Sequence, residues 1–266
     1  MKSLLLLVTL SLLPSASFAA ITNMRMFKWS EYNQEADGTI AGPVFWAFDS
    51  NVSSTTAGEY TNYRHTAGTT VVDEPASGRF AEIFRTYPFQ PLLEAAFPAG
   101  PHTFTVSGGT LGTLSSTLNF PDNYYPAGTP AFTAASLLGL QTFDPSNDLT
   151  LHWNQFTPHG DANAPRVRLF AEDEGTHDFP VEQGTLPADA TSWTLPGGTL
   201  QPGHDYLFML ILSNARSETA AGFGGTANTL VDAYTQVNFR FTAVPEPGAA
   251  LLSLLTLGSL ALRRRR

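Results

Sequence analysis

The chain has no cysteine, so no disulfide framework holds it together and hydrophobic packing must supply its stability. Lysine is nearly missing: between the two ends, Lys28 stands alone. Of the 14 Lys and Arg, Lys2 lies near the start and Arg263–Arg266 at the end. That leaves 9 against 22 Asp and Glu for residues 20 to 243, once Glu246 is set aside, a net charge of −13. Such a body disfavours nucleic acid and anionic lipid as partners, since both need cationic contacts. The charge suits solubility outside a cell. No apolar run is long enough to span a bilayer comfortably.

Chemistry-bearing motifs are also missing. The six histidines (His65, His102, His152, His159, His177 and His204) show no zinc-ligand spacing, and their reading is structural. There is no Gly-x-Ser-x-Gly elbow. Gly222-Phe223-Gly224-Gly225 lacks the lysine and the strand-to-helix setting of a phosphate loop. No pair of carboxylates is singled out for sugar hydrolysis. The densest acidic run, Glu172 to Asp178, contains Gly175 and follows a strand. It reads as a solvated charged loop, with calcium as the alternative because that ion takes several oxygen ligands. Trp29, Tyr32, Tyr60, Tyr63, Tyr124 and Tyr125 fall in segments read as irregular. Packing is the reading for each, with sugar stacking the alternative. No catalytic residue, metal ligand or cofactor is expected, and the chain reads as a non-enzyme.

What is present begins at the ends. Lys2, the apolar run Leu4–Leu13, Pro14, and small residues at Ser17 and Ala19 occur in the order of a secretion signal. The cut expected of a signal peptidase falls between Ala19 and Ala20. At the other end, Pro245-Glu246-Pro247 precedes an uncharged stretch from Ala249 to Leu262, closed by Arg263, Arg264, Arg265 and Arg266. Fourteen helical residues reach only about 21 Å, short of a roughly 30 Å hydrocarbon core. Flanking residues and snorkelling arginines make up part of the deficit. The arginines stay on the cytoplasmic side, and the two prolines keep the preceding segment extended and accessible.

This three-part tail, residues 244 to 266, resembles the PEP-CTERM sorting signal. The resemblance implies recognition and removal by an exosortase, a membrane protease-transpeptidase. It also implies transient anchoring in the inner membrane of a Gram-negative bacterium, then release to the cell surface, outer envelope or extracellular matrix. The family is typical of bacteria that make extracellular polysaccharide. A plain single-pass anchor is the competing reading.

Between the ends the expected fold is all-β, an antiparallel sandwich or sandwiches. Leu149, Leu151 and Trp153, then Val167, Leu169 and Ala171, then Val237, Phe239 and Phe241 alternate with polar neighbours. The stretch His204–Leu212 is apolar on both faces. This predicts a layer from the first half covering Leu207, Met209 and Ile211. Residues 130 to 243 resemble a fibronectin type III-like domain, through Leu151-His152-Trp153 and the corner Leu200-Gln201-Pro202-Gly203-His204-Asp205-Tyr206. The departure is a long Ser213–Asp232 connection. Residues 20 to 129 read as a β-rich N-terminal domain, with strands around Val44–Phe48, His102–Val106 and Leu114–Phe120. Helical spacing marks Phe80, Ile83, Phe84 and Tyr87, and again Leu92, Leu93, Ala96 and Phe97.

The functional expectation is an exported surface or matrix protein, a structural or interaction module associated with exopolysaccharide. The alternative is a secreted polysaccharide-active hydrolase or a carbohydrate-binding protein.

Overall fold

The computed structural model describes residues 21–221 and 226–244. Thirteen strands and two helices lie among them. The frame is one seven-stranded sheet, in the order β10-β9-β12-β13-β1-β2-β5. Its members are β1 (Ile21–Asn33), β2 (Phe45–Ser54), β5 (Phe80–Tyr87), β9 (Arg166–Asp173), β10 (Val181–Pro187), β12 (Asp205–Ala221) and β13 (Thr226–Thr242). All neighbours are antiparallel except β1 and β13, which run parallel from Asn23↔Asn228 to Asn33↔Asn238.

One face of this sheet carries two hydrophobic clusters. The first packs Met24, Met26, Phe48, Val52 and Ile83 against Tyr63, Phe104, Val106 and Phe120. The latter come from a second sheet, β4-β3-β6-β7 (β3 Asn62–Ala67, β4 Thr70–Pro75, β6 Gly100–Ser107, β7 Leu114–Phe120). The second cluster packs Val167, Leu169, Phe208, Leu210, Val237 and Phe239 with Leu151 and Leu195 of the small β11-β8 sheet (β8 Leu149–His152, β11 Ser192–Leu195) and with Trp153, just after β8. Two stacked antiparallel layers, with alternate residues turned inward, make each end a sandwich.

The expected long Ser213–Asp232 connection is corrected: β12 and β13 continue as a hairpin through Ala221 and Thr226. The first cluster takes Ala227, Val231 and Ala233 from that extension, so small residues let β13 lie beside β1. The covering layer expected over Leu207, Met209 and Ile211 is also corrected. The first half joins the sheet edge to edge, through β1 on β13, instead of lying on top. Ile211 sits in register between Arg168 and Gln236, whose long side chains flank it.

Two further expectations meet different outcomes. Phe80–Tyr87 is strand, not helical turns: Ala81 and Ile83 are buried while Phe80 and Phe84 face outward. Gln90–Ala96 is a helix, α1, with Leu93 buried and Pro91 in its first turn, where a missing N–H costs nothing. Helix α2 (Ala134–Thr142) is capped by Thr133, whose hydroxyl accepts from the Ser136 N–H at 3.3 Å. The Tyr206 corner is present. The side chain is buried and its hydroxyl accepts from the Gln201 N–H at 2.7 Å. Gly203 takes φ +80° at the turn, a conformation that favours glycine.

The two ends are tied at three further places. Gln34, at the end of β1, donates to the Phe132 carbonyl at 3.0 Å and accepts from the Phe132 N–H at 2.9 Å. Asn214 donates to the Tyr124 carbonyl at 2.7 Å. On the outer sheet face Arg168 lies 4.8 Å from the Tyr234 ring, Tyr234 stacks on Trp29 at 5.2 Å, and Trp29 meets Phe84 at 5.7 Å.

Candidate functional site

Strand β1 places the body's only lysine on the inner sheet face, where Lys28 is fully buried. An ammonium there needs a partner. Helix α1 supplies Glu94, whose Oε2 lies 2.8 Å from Lys28 Nζ. The Tyr125 hydroxyl donates to Glu94 Oε1 at 3.0 Å, and Lys28 Nζ sits 4.4 Å over the Phe120 ring. Burial lowers the Lys28 pKa; Glu94, and after it Asp122, act against that shift. Burial, and next the Glu94 charge, push the Tyr125 hydroxyl well above its ordinary value.

Glu94 is half-buried and opens onto a recess of about 260 Å³ between α1 and the turn after β7. Gln90, Pro98, Phe120, Pro121, Asp122 and Tyr125 form part of its wall. One carboxylate is thus fixed at both oxygens and still reaches solvent. A second, Asp122, stands exposed at the rim.

A buried polar chain runs behind this wall. His102 Nε2 lies 2.7 Å from the Pro98 carbonyl, His65 Nε2 lies 2.9 Å from His102 Nδ1, and Tyr63 Oη lies 3.2 Å from His65 Nδ1. The tautomers follow from the end group. A carbonyl only accepts, so His102 Nε2 carries the proton. His102 Nδ1 then accepts from His65 Nε2–H, which leaves His65 Nδ1 unprotonated beside the Tyr63 hydroxyl, and that hydroxyl donates to Ser50 Oγ at 2.8 Å. Burial, and secondly the His102 neighbour, lower His65 to about 3; burial lowers His102 to about 4. Both rings stay neutral at ordinary pH.

A different carboxyl pair lies on the outer sheet face. Asp49 is pushed up to about 7, by burial first and by neighbouring Glu82 second, and it accepts from Asn51 Nδ2 at 3.2 Å.

Three carboxylates of the acidic run Glu172–Asp178, those of Glu172, Asp173 and Glu174, are spent on pairing. Asp173 Oδ2 lies 2.7 Å from His204 Nδ1, and Asp173 Oδ1 accepts from the Gly175 and Thr176 N–H groups. Glu172 meets His177 at 2.7 Å and Glu174 meets Arg240 at 2.8 Å. Among the described residues no group of three or more His, Cys, Asp or Glu is placed to hold a metal ion. Of the aromatic candidates, Tyr60, Tyr63 and Tyr124 are buried; Trp29 and Tyr32 belong to β1, not to irregular segments. The ring faces of Trp29 and Tyr234 are taken by each other, by Phe84 and by Arg168. That stack is a structural tie, with little ring face left for a sugar.

Sequence reasoning missed this recess and the histidine chain. The signal for the first was a solitary lysine in an acidic body, a residue type kept at one place only. Ala19 and Ala20, Pro245, Glu246 and Pro247, and Arg263–Arg266 lie outside the described residues. No described helix is long and apolar enough to cross a membrane.

No family model matches the sequence, and no curated protein matches it. Among solved structures, it is similar to the chicken CNTN1 FN1–FN3 domains at 11% identity and a TM-score of 0.23, covering 80% of this chain and 66% of that one. A structure titled for host cell surface retention of a 1.5-MDa bacterial ice-binding adhesin matches at 15% identity and a TM-score of 0.22, covering 81% and 65%. The chain thus spans just under two thirds of the length of each. Both TM-scores are too low to bear on fold or function.

Proposed function

We propose that this chain is an exported surface or extracellular-matrix protein, a non-enzymatic interaction module that associates with extracellular polysaccharide. The observation that carries the reading is the Glu94 recess, a solvent-reaching carboxylate held by Lys28 and Tyr125 beside a second carboxylate. Fixed polar groups in a concave wall are what orient a hydroxyl-rich ligand. In this reading a signal peptidase cuts between Ala19 and Ala20. The Pro245-Glu246-Pro247 tail with Arg263–Arg266 hands the chain from the inner membrane to an exosortase. The tail's residue pattern and the body's −13 charge support export. The assignment of residues 130 to 243 as fibronectin type III-like rests on the Tyr206 corner and on buried Trp153, whose Nε1 donates to the Ala190 carbonyl at 2.7 Å.

The test is co-sedimentation of the full-length protein with extracellular polysaccharide from a bacterium that carries an exosortase. Wild type should pellet with the polymer, and Tyr125→Phe, which frees one Glu94 oxygen, should pellet less. A wild-type protein left in the supernatant contradicts the reading.

One observation favours the hydrolase alternative. Asp49 is pushed up to about 7 by burial and then by neighbouring Glu82, the range of a carboxyl that can serve as an acid. The pair stands on an outward sheet face and not in the recess. Polysaccharide incubated with wild type should therefore release no more reducing ends than with Asp49→Asn. A rate that falls in the variant would move the chain to the enzymes.

A further inference from the structure

The recess has an unequal supply of charged groups, and that inequality selects a ligand. Pro98 and Pro121 bring no N–H to the wall. The Pro98 carbonyl is engaged by His102. Glu94 accepts one bond at each oxygen, from Tyr125 and from Lys28, so each oxygen keeps acceptor capacity, and the side chain is 34% exposed. Asp122 accepts one bond from the Asn123 N–H at 3.0 Å and is otherwise open to solvent. The lining holds these two carboxylates and no Lys, Arg or His side chain.

Charge points the same way. Lys28 offsets Glu94, and Asp122 is left as surplus negative charge at the mouth. The body around it carries −13. A polysaccharide of uronic acids would meet like charge twice, once in the recess and once in the long-range field. Lys28 is buried and spent on Glu94, so it brings no charge to the mouth. The pyrrolidine ring of half-buried Pro98 adds an apolar surface, against which the C–H face of a sugar ring can lie.

We propose that this recess binds an amino-sugar residue of a glycan bearing free primary amines, its ammonium between Asp122 and Glu94 and its hydroxyls on the remaining acceptors. The inference rests on the glycan-binding reading above and narrows it from glycans in general to cationic ones. An ammonium donates three hydrogen bonds and accepts none, which matches a wall with two carboxylates and no cationic side chain. A lysine side chain offers the same ammonium without the ring and hydroxyls, so the experiment has to separate the two sources.

The experiment is titration calorimetry of the full-length protein with four probes: a glucosamine hexamer, its fully N-acetylated counterpart, a neutral glucose hexamer and tetralysine. The glucosamine hexamer should bind at least about tenfold more tightly than each of the others, and more weakly as salt is raised. Asp122→Asn should lose about tenfold on that probe alone, with its melting temperature unchanged because the side chain is exposed. Glu94→Gln takes the counter-charge from a buried lysine and so disturbs the fold as well as the site; Asp122→Asn decides the matter. Equal affinity for the acetylated hexamer, or an unchanged Asp122→Asn, overturns the proposal. Equal affinity for tetralysine overturns the sugar assignment. Sedimentation with the native polymer but no binding of the glucosamine hexamer overturns this inference alone. Failure of both overturns the glycan reading as well.

Discussion

His65 and His102 are polar groups kept uncharged inside an aromatic shell of Phe48, Phe97, Phe104 and Phe120. Their lowered pKa values make folding sensitive to acid. The unfolded chain takes up protons below about 6.5, the folded chain only near 4 and 3, so stability present above 6.5 is lost as pH falls. Asp49 works in the opposite sense. Raised to about 7, it holds a proton that the unfolded chain gives up, so its effect is to lower stability as pH rises from about 3.8 to 7. A single pH profile mixes the two, and a comparison separates them. The stability advantage of wild type over His65→Gln should shrink by about 2 kcal/mol from about pH 7 to about pH 5, read by urea denaturation at each pH. Parallel profiles would show that His65 is not held neutral. Tyr206→Phe tests the corner independently. Losing the hydroxyl leaves the Gln201 N–H without its acceptor and should cost about 1–2 kcal/mol in the same assay.

At the scale of elements, the β12–β13 hairpin does the most to join the fold. Asp232, fully buried on it, holds both carboxylate oxygens 2.7 and 2.8 Å from Ser213 Oγ, which donates its one proton between them, and lies 3.7 Å from both Arg166 and Arg168 of β9. Asp232→Ala should therefore cost about 3 kcal/mol, because two largely buried guanidinium groups lose their counter-charge. A urea midpoint within experimental error of wild type would show that water already serves those arginines. The same hairpin shows where sequence patterning stops. Val167–Ala171 and Val237–Phe241 alternate cleanly, and their inward residues are those expected. Beyond Ser213 the inward residues are small or polar, such as Asn214 and Ala233, so no apolar alternation marks the strand. In β1 the inward Lys28 and Ser30 hide the period in the same way. In β5 the outward Phe84 packs sideways on Trp29, and apolar residues on both faces imitate helical spacing.

For the whole molecule, the antiparallel β character was legible because strand periodicity is local. That both halves share one sheet was not, since the parallel β1–β13 pairing joins residues some two hundred positions apart. The recess was illegible for a related reason: Lys28, Glu94 and Tyr125 come from a strand, a helix and a loop, with no fixed spacing. Export is the claim on which the function depends, and it rests on the chain ends. In the proposed route the two prolines flanking Glu246 favour the extended backbone that a protease substrate needs and a plain anchor does not. The measurement is C-terminal peptide mass spectrometry on surface and membrane fractions from a host with an exosortase, for wild type and for Pro245→Ala with Glu246→Ala. The account predicts a mature surface protein lacking Arg263–Arg266, and a double variant retained uncleaved in the inner membrane. Intact Arg266 on the mature wild type, with the double variant distributed identically, would contradict it.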